Sequence, residues 1–178
     1  MAHTLVLSVI GPDRPGLVEE LAQLIAAHAG SWDESRMARL AGHFAGVVQI
    51  HLPDERVQAL MDALPGLSSR GLSASVVGSQ APDRPLDAGN TLWLDLVGQD
   101  RPGIIRDVSH ALATLGVNVL DLRTSVESAP MSGERLFRAR AELAPPVGLA
   151  RDSIRKTLER LAADLMVDLT LDERPPRN

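Results

Sequence analysis

The chain has 178 residues, enough for one medium domain or two small ones. It contains no Cys, which excludes disulfides and thiolate zinc sites and fits a reducing compartment. Its formal net charge of −5 supplies no global positive field to draw it to nucleic acid or anionic lipid. Apolar residues make up 44%, enough for a core, with two Trp, two Phe and no Tyr to contribute. No apolar run approaches membrane-spanning length. The start Met1-Ala2-His3-Thr4 passes into a strand pattern without a basic segment, so no signal peptide is expected and the cytoplasm is the default setting.

In chain order, Leu5–Ile10 alternates as a strand. Leu17, Leu21, Leu24 and Ile25 recur at helical spacing, predicting a helix over Gly16–Ala29 with Gly30 as its stop. Trp32–Leu40 and Phe44–Leu52 read as strands joined by the turn Ala41-Gly42-His43. Pro53 is expected in the first turn of the next helix, with Val57, Leu60, Met61 and Leu64 as its apolar stripe. Leu72–Val77 closes the first half as a strand. Residues 79–90 hold two Pro, two Asp and a Gly, a composition that suits a linker.

The same order then repeats. Thr91–Val97 is a strand, and Ile104, Val108, Leu112 and Leu115 share one helix face. Val117–Val126 and Arg135–Leu143 are strands joined by a longer loop around Ser128–Gly133. On the latter strand Leu136, Arg138, Arg140 and Glu142 share one face, and Phe137, Ala139, Ala141 and Leu143 the other, so one side can meet water. Ile154, Leu158, Leu161 and Leu165 form a second helical stripe, and Val167, Leu169 and Leu171 alternate as a half-buried strand. The tail Arg174–Asn178 is expected to fray. The reading is an α+β protein with two ferredoxin-like β-α-β-β-α-β units, residues 1–78 and 91–173, each an antiparallel sheet with helices on one face. The two units are expected to pack as a pseudo-dimer.

The phrase Gly-x-Asp-Arg-Pro-Gly occurs at Gly11–Gly16 and again at Gly98–Gly103, 87 residues later. Each copy follows a strand pattern and opens a helical one, as a duplicated fold unit requires. One reading is purely structural: Asp13 or Asp100 caps the helix, Pro presets φ, and Gly lets the chain bend. The other adds a ligand. Helix N-terminal N–H groups receive a carboxylate, and the aspartate receives an α-ammonium group. Together these match a free amino acid.

No phosphate loop or nucleophile elbow appears, since Gly16 is followed by Leu17-Val18. His3, His28, His43, His51 and His110 show no metal-ligand spacing. Arg36 and Arg39, and the group Arg135, Arg138 and Arg140, read as solvated strand faces, with a partner-binding patch as the alternative. Arg outnumbers Lys, Lys156 being the sole lysine.

The β-α-β-β-α-β unit with Asp-Arg-Pro-Gly after its first strand resembles the ACT domain, an amino-acid-sensing module. Two in tandem resemble the glycine cleavage system transcriptional repressor family. The stretch Trp32-Asp33-Glu34-Ser35-Arg36-Met37-Ala38-Arg39-Leu40 and the segment Val117-Asn118-Val119 also resemble that family. The resemblance implies a small amino acid, such as glycine, as effector, with no cofactor and no catalytic or metal site. Its contacts would be Gly11, Asp13, Arg14, Gly16, Gly98, Asp100, Arg101 and Gly103 in the loops, with Asn118 and Ser31 at the second strands. In ACT pairs the ligand sits between one copy's loop and the other's second strand. Pairing the repeats at 87 residues sets Ser31 opposite Asn118, so the half-sites are unequal, Asn offering both donor and acceptor.

The resemblance also implies a protein partner, a DNA-binding transcriptional activator, with no direct nucleic-acid or membrane binding. Self-association of the chain stays open. ACT pairs resemble, in addition, the regulatory parts of serine-phosphate phosphatases and formyltetrahydrofolate deformylases. Since nothing follows Arg177-Asn178, that second function would need a separate catalytic subunit.

Overall fold

The computed structural model describes residues 2–78, 91–129 and 133–173. The chain divides into two compact units, residues 1–83 and 84–178. The expected linker over 79–90 and the tail over 174–178 lie outside the described residues.

In the first unit, β1 (Ala2–Pro12) leads into α1 (Leu17–Ala27), then β2 (Ser31–Leu40) and β3 (His43–Pro53). After these come α2 (Asp54–Ala63), a short α3 (Pro65–Ser68) and β4 (Ser73–Gly78). The second unit runs β5 (Leu92–Gln99), α4 (Ile104–Thr114), β6 (Asn118–Ser128), β7 (Arg135–Ala144), α5 (Arg151–Leu165) and β8 (Val167–Asp172). The sheets are ordered β2-β3-β1-β4 and β6-β7-β5-β8, with every pairing antiparallel. The α+β reading and the repeated element order therefore stand.

Three local details differ from expectation. Pro53 does not begin a helix turn: its ψ of 141° keeps it extended, it pairs with Ala2, and α2 starts at Asp54. The α3 turn has no counterpart among the expected elements; Pro65 occupies its first turn, where no donor is lost. Met61, expected in the stripe, is 43% exposed, because it lies about 100° around the helix from fully buried Leu60.

Each core is aliphatic and follows strand alternation. Leu5, Leu7 and Val9 of β1 and Val48, Ile50 and Leu52 of β3 point to one face, where Leu17, Leu21 and Ile25 of α1 and Leu60 of α2 cover them. The second unit repeats this with Leu92, Leu94, Leu96, Ala139, Ala141 and Leu143 beneath Ile104, Val108, Leu112, Ile154 and Leu158. Burial of this much aliphatic surface, at about 25 cal/mol per Å², is the main force holding each unit.

The other face of each sheet differs between the units. In the second, Asp95 lies between Arg140 at 3.0 Å and Arg138 at 4.0 Å, the polar strand face expected for β7. In the first, Ser8 and Ser75 share a 2.7 Å hydrogen bond beside exposed Ile10 and Val47.

The hairpin between β2 and β3 turns on Ala41 and Gly42, both at positive φ, the twist that tight two-residue hairpins favour. Both second strands carry a bulge, at Asp33 and at Leu120, again 87 residues apart. The end of α1 shows where the units diverge. Gly30, the expected stop, is not the left-handed residue; Ala29 is, at φ 57°. Its repeat equivalent is Gly116 at φ 70°. Gly30 instead donates its N–H to Ile25 O at 2.9 Å, and a Cβ there would lie 2.8 Å from the Ile25 side chain. A left-handed non-glycine residue costs about 1 kcal/mol. Ala29→Gly should therefore stabilise the first unit by roughly 0.5–1 kcal/mol in a urea titration, whereas Gly116→Ala should destabilise the second by a similar amount.

Candidate functional site

The two Asp-Arg-Pro-Gly loops are built alike. Four residues, Asp13 to Gly16, join β1 to α1, and Asp100 to Gly103 join β5 to α4. Gly16 and Gly103 are the N-cap residues, left-handed at φ 91° and 97°. Any side chain there is strained, whatever space surrounds it.

The first glycine of each motif has another role. A Cβ on Gly11 would lie 2.3 Å from the carbonyl oxygen of Gly71, and one on Gly98 would lie 2.4 Å from Val167 Cγ1. Both mark the point where the chain enters the last strand of its unit and passes against the first.

The aspartates do not cap the helices, contrary to expectation: no side chain caps α1 or α4. The left-handed glycine intervenes, and each aspartate is drawn instead to the neighbouring hairpin. Asp13 donates its N–H to Gly42 O at 2.9 Å, and its carboxylate meets Arg39 at 2.5 Å. Asp100 donates its N–H to Arg135 O at 2.8 Å and pairs with that residue's guanidinium at 3.1 Å.

The motif arginines brace the loops from the other side. Arg14 donates to Arg70 O at 2.8 Å, just past α3, and makes a two-point contact with Glu20 at 2.6 and 2.9 Å. Arg101 donates to Leu165 O at 2.8 Å, at the end of α5. Each arginine thus ties the loop to the carbonyl end of the helical segment before the last strand. The hydrogen bond from Arg14 holds the Glu20 carboxyl below its ordinary range. At the repeat-equivalent position, Asp107 is likewise held low by a hydrogen bond from Arg106, at 2.8 Å.

Ser31 opens β2 opposite His51, and Asn118 opens β6 opposite Ala144; both are exposed. The sheet register separates them from the loop of their own unit. Ser31 aligns through His51 with Thr4, so almost the whole of β1 lies between it and Asp13, roughly 30 Å at about 3.3 Å per residue. Within one unit, the loop and second-strand residues are not brought together.

Arg39, Arg135 and Glu20 belong to these loops, although nothing in the sequence singles them out as loop residues. No local spacing marks them, since Arg39 ends β2 and Arg135 begins β7. Four histidines rest on nearby acceptors: His3 on Asp54, His51 on Asp33, His28 on Leu24 O and His43 on Ala41 O. Among the described residues, no group of His, Asp or Glu is arranged to hold a metal ion. No described helix is long and apolar enough to cross a membrane.

The loop geometry recurs over two regions that both match one family model, the ACT domain, at residues 3–76 and 90–172. The chain belongs to the ACT domain family. ACT domains are regulatory modules that sense small amino-acid effectors and often oligomerise. The chain is similar along 98% of its length to an unknown protein from Galdieria sulphuraria, at 30% identity and a TM-score of 0.80, covering all of that chain. It is also similar to a crystal structure described as that of a "putative glycine cleavage system transcriptional repressor". That match covers 97% of each chain at 18% identity and a TM-score of 0.73. No curated protein matches the chain.

The loop contacts can be tested by substitution. Gly11→Ala and Gly98→Ala should each destabilise by about 1–3 kcal/mol in chemical denaturation, because the added methyl meets its neighbour well inside contact distance. Glu20→Gln should lower stability at pH 7, and its difference from wild type should close as the pH falls below the ordinary glutamate range. The folded pKa is depressed, so the contribution is present above the unfolded pKa and lost as Glu20 protonates.

Proposed function

We propose that this chain is an amino-acid-sensing regulator with no reaction of its own, acting in the cytoplasm through contact with a protein partner. The observation that carries the reading is the double construction of the ACT loop. Both copies hold an aspartate and an arginine at the mouth of a glycine-opened helix, with the same bracing. The effector is a small amino acid such as glycine, and no cofactor is involved. Ser31 and Asn118 enter the proposed contacts on the resemblance, Asn118 offering both a donor and an acceptor where Ser31 offers one shorter hydroxyl.

The proposed partner is a DNA-binding transcriptional activator of glycine cleavage genes, which the chain would repress. The near full-length likeness to the protein described as such a repressor supports this choice. So does the net charge of −5, since phosphate neutralisation supplies most non-specific DNA affinity.

A thermal-shift screen across the amino acids should find a stabilising ligand, because a ligand that binds only the folded state raises its stability. In calorimetric titrations with that ligand, Asn118→Ala should weaken binding roughly tenfold to a hundredfold, and Ser31→Ala should do less. If Asn118→Ala and Asp13→Ala both bind like wild type, the loops are structural only. The isolated protein should show no sub-micromolar, salt-sensitive binding to a duplex operator fragment.

A further inference from the structure

Both motif aspartates meet a guanidinium, but the two arginines are not repeat equivalents. Arg39 comes from the end of β2, and the residue 87 places after it is Val126. Arg135 comes from the start of β7, and the residue 87 places before it is Val48, a core residue of β3. The same pairing thus arises in each unit from a different strand of the hairpin.

Stability does not account for that recurrence. The side chains of Arg39 and Arg135 are 70% and 71% exposed, and ion pairs so open to water contribute little to stability. The loops are already tied down by the aspartate N–H groups and by Arg14 and Arg101. What the pairing does create is an adjacent carboxylate and guanidinium at each loop mouth. A guanidinium carries five N–H donors and matches a carboxylate edge-on, while an aspartate accepts from an ammonium group.

We propose that Arg39 and Arg135 are the carboxylate-recognising residues of the two amino-acid sites, with Asp13 and Asp100 beside them receiving the ammonium group. The ligand class is the zwitterion of a free α-amino acid. This assignment rests on the amino-acid reading above. The guanidinium stays in contact with its aspartate and turns its remaining N–H donors to the ligand, so no ion pair has to break.

The test uses the full chain and the amino acid giving the largest thermal shift, together with that amino acid's carboxamide, which keeps the ammonium and lacks the carboxylate. Wild type, Arg39→Gln, Arg135→Gln and Arg39→Lys are compared by calorimetry, after their melting temperatures show that each is folded. Wild type should prefer the acid to the amide by at least tenfold. The Gln variants should lose tenfold or more for the acid and bind the amide as wild type does. Arg39→Lys should recover part of the loss, since it keeps the charge without the planar fork. Acid binding unchanged in both Gln variants, while Asp13→Ala or Asn118→Ala still weakens it, would overturn this assignment and leave the amino-acid reading standing. Equal losses for acid and amide in the Gln variants would also overturn it, by showing a positional effect without carboxylate recognition. Failure of every amino acid to shift the wild type would overturn both.

Discussion

The close approach of two backbone segments at Gly11, and of backbone to side chain at Gly98, is the constraint on which each loop depends. With no Cβ on Gly11, the chain entering β4 can lie against the end of β1, so close that a Cβ would stand only 2.3 Å from Gly71 O. That approach brings the end of the preceding helical segment within reach of the motif arginine. Arg14 can then meet Arg70 O, and Arg101 can meet Leu165 O. One missing methyl group therefore decides both how the sheet closes and where the loop is held. The second glycine of each motif, left-handed at the helix entry, sets the direction in which the helix leaves.

The loops are consequently over-determined. Each is tied to the hairpin by an aspartate N–H and carboxylate on one side, and to a helix end by an arginine on the other. Such bracing holds polar groups in place before any ligand arrives, which lowers the ordering cost of binding. It also explains why the helices need no side-chain cap. The motif aspartates turn to the hairpin and its arginines to a helix end, and the glycine supplies the turn.

The two units use equivalent scaffolds with different surfaces. The bulge falls at the same repeat position in both second strands, yet Ser31 opens one and Asn118 the other. The open face of the second sheet carries Asp95 between two arginines, and that of the first carries serines beside exposed Ile10 and Val47. Duplication preserved what the fold needs, namely aliphatic strand faces and glycine positions. The exposed residues were free to diverge, and those are the ones available for discriminating ligands or partners.

The sequence by itself determined the element order apart from the α3 turn, the duplication, the aliphatic cores and the special standing of the Asp-Arg-Pro-Gly turns. All of these rest on local periodicity or on the repeat of a short phrase, and hydrophobic alternation alone sufficed to assign Leu5, Leu7 and Val9 to a buried face. Only the tertiary structure decided what the motif residues touch. The aspartates read as caps in the sequence, but they join hairpins, because a left-handed glycine stands between them and the helix. Arg39 and Arg135 read as solvated strand faces or a partner-binding patch, with nothing to tie them to the aspartates, since each meets its aspartate across strand pairings whose register no local spacing encodes. The left-handed residue after α1 fell on Ala29 and not on Gly30, because Gly30 is needed where the chain crowds Ile25. Periodicity reports which face is buried; the partner of an exposed charge depends on where separate strands come to lie together.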